Sequence, residues 1–171
     1  MKKGYDAINI GSGINTGMLM LGTVGSVSRM DTTVIGDTVN LASRLESLTK
    51  IFKLPVIFSD AVLGRLENPD NFHLREIDAV TVKGKAVPVE VFELFDFNSP
   101  ELIEKKLENM KNYRKALFHY KDGDFQYARQ LFSECYQKCP EDVLLDIYIK
   151  RCENLIENPP GANWRGVSKM R

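Results

Sequence analysis

An asparagine and an arginine one helical turn apart, Asn40 and Arg44, lie in the stretch TTVIGDTVNLASRLESL beside Leu41, Leu45 and Leu48. The leucines recur at i, i+4 and i+7 and predict an amphipathic helix over about 38–50, with Asp37 or Thr38 as its cap. Packing that helix requires only the leucines. Asn40 and Arg44 share a different flank, about 100° around the axis. A helix start offers unpaired N–H groups and positive potential, and a guanidinium one turn further on makes a favourable place for a phosphate. A solvated polar flank explains the same two residues without a ligand, so residue type and spacing leave both readings open.

Two other clusters invite a phosphate reading. Gly11, Gly13 and Gly17 in GSGINTG fit neither the dinucleotide-binding spacing nor the P-loop, which needs a Lys-Ser/Thr pair, and they read as turn glycines between strands. Lys83 and Lys85 flank Gly84 in VTVKGKAVPVEVFEL, between two strand-like runs. Such a pair is ordinarily a solvated turn that protects a sheet edge.

The elements that must position these residues read as strands with short helices up to about Phe95. YDAINIGSG, GMLMLGTVG, TTVIG, LPVIFS and VPVEVFELF are the strand candidates, and Ser59 is placed to cap a short helix in DAVLGRL. After FDFNSP the pattern becomes helical without strands, which sets a boundary near residues 98–100. ELIEKKLENMKNYRKALFHYKDG, FQYARQLFSECYQKC and EDVLLDIYIKRCENLIEN form three amphipathic helices, the last stopped by Pro159 and Pro160. The tail PPGANWRGVSKMR has no periodicity, and Trp164 is either a packing anchor or part of a mobile end.

Composition narrows the function classes. With 23 basic and 23 acidic residues among 171, the formal charge is zero, so no global field points to nucleic acid or an anionic membrane. No apolar run reaches the length of a bilayer span. Cys135, Cys139 and Cys152 are an odd set within helical patterns, which argues for reduced thiols in a cytoplasmic setting rather than a disulfide framework. The two histidines, His73 and His119, lie in unrelated contexts, so no metal site is expected in this chain. Membrane attachment of a longer parent protein stays open.

Taken together, GINTG, VGSVSRMDTTVIGDTVNLASRLESL and VTVKGKAVPVEVFEL resemble, in this order and separation, the C-terminal part of a class III adenylate/guanylate cyclase catalytic domain, over about residues 5–96. The order Tyr120, Gly123, Phe125, Ala128, Phe132 and Pro140 is similar to a tetratricopeptide repeat, in one copy that needs another surface to cover it. The expected fold class is α+β: an incomplete ferredoxin-like cyclase domain over residues 1–97, then an all-α helical hairpin extension and tail over 98–171.

The cyclase resemblance implies ATP as substrate, bound between two catalytic domains, with a second cyclase domain, most simply another copy of this chain, as partner. It implies that Asn40 orients the ribose and that Arg44 stabilises charge on the α-phosphoryl group. It places Lys83, and not Lys85, at the terminal phosphates, and Thr33 at a purine-reading position where threonine favours adenine. Arg29 falls where some members hold pyrophosphate. The complete enzyme uses Mg or Mn, and the family's metal-binding aspartates lie upstream of GINTG, so their ligands are expected outside this chain. The resulting expectation is a C-terminal part of an adenylate cyclase, inactive alone, that carries the nucleotide and transition-state half of the site. The competing expectation is a catalytically silent cyclase relative that dimerises or recruits a protein through its helices.

Overall fold

A computed structural model of the chain describes residues 10–26, 29–81, 87–161 and 164–169. In chain order the elements are β1 (Ser12–Ile14), β2 (Met20–Ser26), β3 (Arg29–Ile35), α1 (Asp37–Phe52), β4 (Val56–Ser59), α2 (Asp60–Leu63) and a 3-10 turn (Pro69–Asn71). There follow β5 (Leu74–Thr81), β6 (Val89–Leu94), α3 (Pro100–Asp122), α4 (Phe125–Lys138), α5 (Val143–Glu157) and β7 (Val167–Lys169). Five strands form one sheet in the order β1-β4-β6-β5-β7, and β2 pairs with β3 in a separate two-stranded ladder. β1 runs parallel to β4 and β7 parallel to β5, while β6 is antiparallel to both its neighbours. This is the expected α+β arrangement, a partial sheet with helices.

Helix α1 buries Leu41, Leu45, Leu48 and Phe52, as the leucine period predicts. Its seat differs from the expectation for the glycines. Gly13 is not in a turn but in β1, where a Cβ would lie 2.1 Å from the Glu46 nitrogen and 2.4 Å from the Ala42 oxygen. Gly11 is similarly closed off by Thr49. Both glycines exist for close approach of strand to helix. The cap also differs. Gly36 is the N-cap and no side chain caps the helix; Thr38 instead donates from Oγ1 to the Met18 carbonyl at 2.7 Å. Ser59 does precede α2, yet its hydroxyl donates to Asn15 rather than to the helix start.

The last three helices follow the expected segments. Gly123, at φ 90°, makes the left-handed turn between α3 and α4, and Asp124 caps α4 by accepting from the Tyr127 N–H at 3.2 Å. Ala116 and Ala128 are fully buried, and the Tyr148 ring stacks on Phe132 with centroids 4.8 Å apart. All three cysteines are free and buried, and burial pushes the thiols of Cys135 and Cys152 up to about 11 and about 12. Trp164 is a packing anchor: its ring meets Tyr120 and Phe125 edge-on, and its Nε1 donates to the Tyr120 carbonyl at 3.3 Å. Side chains from α1, the sheet and α3–α5 share one continuous core.

Within that core, four buried charges form one connected cluster. Arg75 on β5 donates from Nε to Glu93 at 2.5 Å and from Nη1 and Nη2 to Asp142 at 2.6 and 2.8 Å, while Lys106 donates to the other Glu93 oxygen at 2.7 Å. Arg75, Glu93, Lys106 and Asp142 are 4%, 0%, 4% and 3% exposed, so each charge is desolvated but paired. Arg75 also lies over the Tyr113 ring, 4.8 Å from its centroid. The carbonyls of Glu76 and Ile77, where the β5–β6 register shifts, accept from the hydroxyls of Tyr113 and Tyr148.

Removing one member strands the others. Arg75→Ala should lower stability by about 3–5 kcal/mol, read as a shifted urea midpoint. Acid should act through Asp142. Burial opposes its ionisation, but the Arg75 charge and hydrogen bonds outweigh it and hold the carboxyl below its ordinary value. The folded pKa is thus below the unfolded value of about 3.9, so the contribution is complete above that pH and disappears as pH falls through the folded value. Asp142→Asn should be less stable at neutral pH and should flatten the fall in thermal midpoint below about pH 4.

Candidate functional site

The β2–β3 ladder feeds α1 through the single residue Gly36. The carbonyl of Gly36 accepts the N–H groups of Val39 and Asn40, both at 3.1 Å, which starts the helix at the end of the strand. Thr33, half-buried and paired with Gly22, therefore lies just before the turn that leads to Asn40 and Arg44. Asn40 is exposed and Arg44 half-buried, on a flank separate from the leucine stripe. Among the described residues neither side chain has a hydrogen-bond or ion-pair partner. Glu46, the nearby carboxylate on the same helix, is paired with Lys50 at 3.2 Å.

The remaining sequence candidates are placed differently. Arg29 pairs with Ser26 at the end of the ladder remote from α1, about 23 Å of strand from Gly36 at roughly 3.3 Å per residue. Its side chain, together with Lys83 and Lys85, lies outside the described residues. Along the chain, Thr33 lies near the end of β3 before the Gly36 turn and Asn40 and Arg44 lie after it on α1, while Arg29 is at the opposite end of the hairpin.

Residues that sequence reasoning passed over hold this turn in place. Asn15, directly after β1, donates from Nδ2 to the Thr38 carbonyl at 3.0 Å and accepts from the buried Ser59 hydroxyl at 2.7 Å. Thr16 accepts from Arg65 Nη1 at 2.8 Å. The available signal was a polar pair inside a glycine-bounded apolar segment, which the turn reading of GSGINTG absorbed.

Apolar side chains surround the hairpin end nearest α1. Met18 is 93% exposed, and the cross-strand pairs Met20–Ile35 and Leu21–Val34 are exposed as well.

The site's chemistry is that of donors: an amide, a guanidinium and a hydroxyl suit phosphoryl oxygens and sugar hydroxyls. The set has no carboxylate, and among the described residues no three His, Cys, Asp or Glu side chains gather as a metal-binding group. A divalent cation is poorly served by this set, which offers neutral oxygens and a guanidinium charge but no carboxylate.

Residues 1–96 match the family model described as the adenylate and guanylate cyclase catalytic domain. The chain is 34% identical over 149 residues to a terminal-differentiation-specific adenylate cyclase of Dictyostelium discoideum, which covers 86% of this chain and 7% of that protein. It is 45% identical over 94 residues to an adenylate cyclase of Anabaena cylindrica, covering 54% of this chain and 19% of the relative. The solved structure of a bacterial light-regulated adenylyl cyclase aligns with TM-score 0.42 and 31% identity over 49% of this chain and 23% of that one. The chain thus spans less than a fifth of the length of these two curated relatives. With more than half of its length matched by that family model, the chain belongs to the adenylate and guanylate cyclase catalytic-domain family.

Proposed function

We propose that this chain supplies one side of an adenylate cyclase site, at which the 3′-oxygen of ATP attacks the α-phosphorus, the bond to the β-phosphate oxygen breaks, and cyclic AMP and pyrophosphate form. The observation that carries the reading is the Arg44 guanidinium beside Asn40 on α1, without a hydrogen-bond or ion-pair partner among the described residues, in a chain of the cyclase family. Arg44 stabilises negative charge that builds on the α-phosphoryl oxygens, and its charge does not change with pH in the working range. Asn40 holds the ribose so that the 3′-oxygen lies in line with the leaving group. Thr33 meets the purine edge with a hydroxyl that donates or accepts, and Lys83 takes the terminal phosphates. Arg29 takes pyrophosphate, and its distance along the hairpin implies that it does so across an interface.

The partner in this reading is a second cyclase domain that covers the apolar hairpin end of Met18, Met20 and Leu21. The metal ions and the group that accepts the 3′-proton come from outside the residues assigned here, so this chain acts alone in binding and charge stabilisation only. The division into a cyclase segment, 1–97, and a tetratricopeptide-like extension, 98–171, belongs to the same reading. The extension serves as a brace and not a loose tether, because Arg75 and Glu93 pair with Asp142 and Lys106 across that boundary.

Complementation tests the proposal. The chain is mixed with a homologous cyclase domain that has its metal-binding aspartates but lacks the Asn/Arg pair. Cyclic AMP formation should exceed that of either component alone. Arg44→Ala should lower turnover by about 100-fold while the KM for ATP changes little. Equal losses in turnover and ATP binding would rule out a transition-state role for Arg44.

A further inference from the structure

The GINTG segment makes contacts that neither its glycines nor the family match explains. Asn15 continues β1 at the register position opposite Ser59, since Ile14 pairs with Phe58. The Ser59 hydroxyl donates to Asn15 Oδ1 at 2.7 Å, which fixes the orientation of the amide and directs Nδ2 at the Thr38 carbonyl, 3.0 Å away. Thr38 is in the first turn of α1, two residues before Asn40. From the other side, its own hydroxyl is tied to the Met18 carbonyl at 2.7 Å. GINTG and the methionine that follows it therefore hold Thr38 twice, once through the Asn15 side-chain amide and once through the Met18 main-chain carbonyl.

Packing sets which face of α1 is buried, through Leu41, Leu45, Leu48 and Phe52, and the close approach at Gly13 sets its distance from β1; neither supplies a directed bond to the first turn. A turn of about 20° moves a group near 6 Å from the helix axis by about 2 Å. For transition-state groups, a displacement of about 1 Å can cost on the order of 100-fold in rate.

We propose that Asn15, oriented by Ser59, is a positioning residue that locks the first turn of α1 so that Asn40 and Arg44 meet the nucleotide at the correct angle. This inference rests on the cyclase reading for its catalytic consequence, but the lock itself is independent of it. Asn15→Asp is the sharpest variant: it keeps the shape and the acceptor for Ser59 but cannot donate to the Thr38 carbonyl. Ser59→Ala removes the orienting hydroxyl without touching α1.

Two measurements on the full chain separate the possibilities. In complementation, Asn15→Asp and Asn15→Ala should lower kcat by about 30- to 100-fold with the KM for ATP held within about threefold, and Ser59→Ala should lower kcat by about tenfold. If Asn15→Asp retains wild-type kcat, or if KM rises in step with the loss, the proposal is overturned. Amide exchange requires no activity. Ala42, whose N–H bonds the Thr38 carbonyl in a regular helix, should exchange at least about tenfold faster in Asn15→Asp, with α3–α5 unchanged. Unchanged Ala42 exchange, or uniform acceleration across the chain, would also overturn it. If the wild-type mixture makes no cyclic AMP, the cyclase reading fails and the exchange result alone decides the positioning claim.

Discussion

The fold depends on a guanidinium placed where an apolar side chain would be expected. Arg75 enters the core from β5 and is satisfied by Glu93 on the neighbouring strand and by Asp142 just before α5, while Lys106 of α3 completes Glu93. Four charges from two strands, one helix and one loop sum to zero within the core. Such a cluster adds little net stability over apolar packing of equal volume, because desolvation offsets most of the attraction. Its effect is on geometry. A planar fork with three directed bonds permits one docking of helices on sheet, whereas apolar packing tolerates slippage.

From that lock the order passes to α1. α5 is fixed at its start by Asp142, and further along it Arg151 donates to Asp78 at 2.9 Å and lies 4.8 Å from the Phe52 ring centroid. Phe52 is the last residue of α1 and is fully buried. The far end of α1 is therefore held by the helical extension, and the near end by Asn15 and Met18. Between these two anchors, Asn40 and Arg44 have no hydrogen-bond or ion-pair partner among the described residues, so these contacts act on the two ends of the helix.

Much of this was legible in the sequence where polarity follows burial. The leucine period gave α1, apolar runs gave β2, β3, β4 and β6, and Gly123 with Pro159 and Pro160 bounded the helices. The pair Asn40 and Arg44 stood out because packing did not need them. What escaped inverts the rule. β5 buries Arg75 and Asp78, so a count of apolar residues recovers only its end. β7 is three residues long and gains its strand character from β5. Gly13 looked like a turn residue because sequence does not reveal that a helix backbone passes within contact of it. Asn15 and Ser59 are 44 positions apart, and the parallel β1–β4 register that joins them has no local signal.

The same asymmetry bears on how a cyclase segment and a helical extension are divided. Composition puts a boundary near residue 98, because strands stop there and helices start. Energetics do not respect it: the buried ion pairs Arg75–Asp142 and Lys106–Glu93 both cross it, and residues on each side share one core. A segment that contributes a counter-charge to its neighbour's core cannot be detached without leaving an unpaired buried ion, at a cost of about 3–5 kcal/mol. Any force on the α3–α5 helices therefore reaches β5 through Arg75 and α1 through Arg151. The extension is thereby coupled to the far end of α1, the helix that carries Arg44, through Arg151 and Phe52.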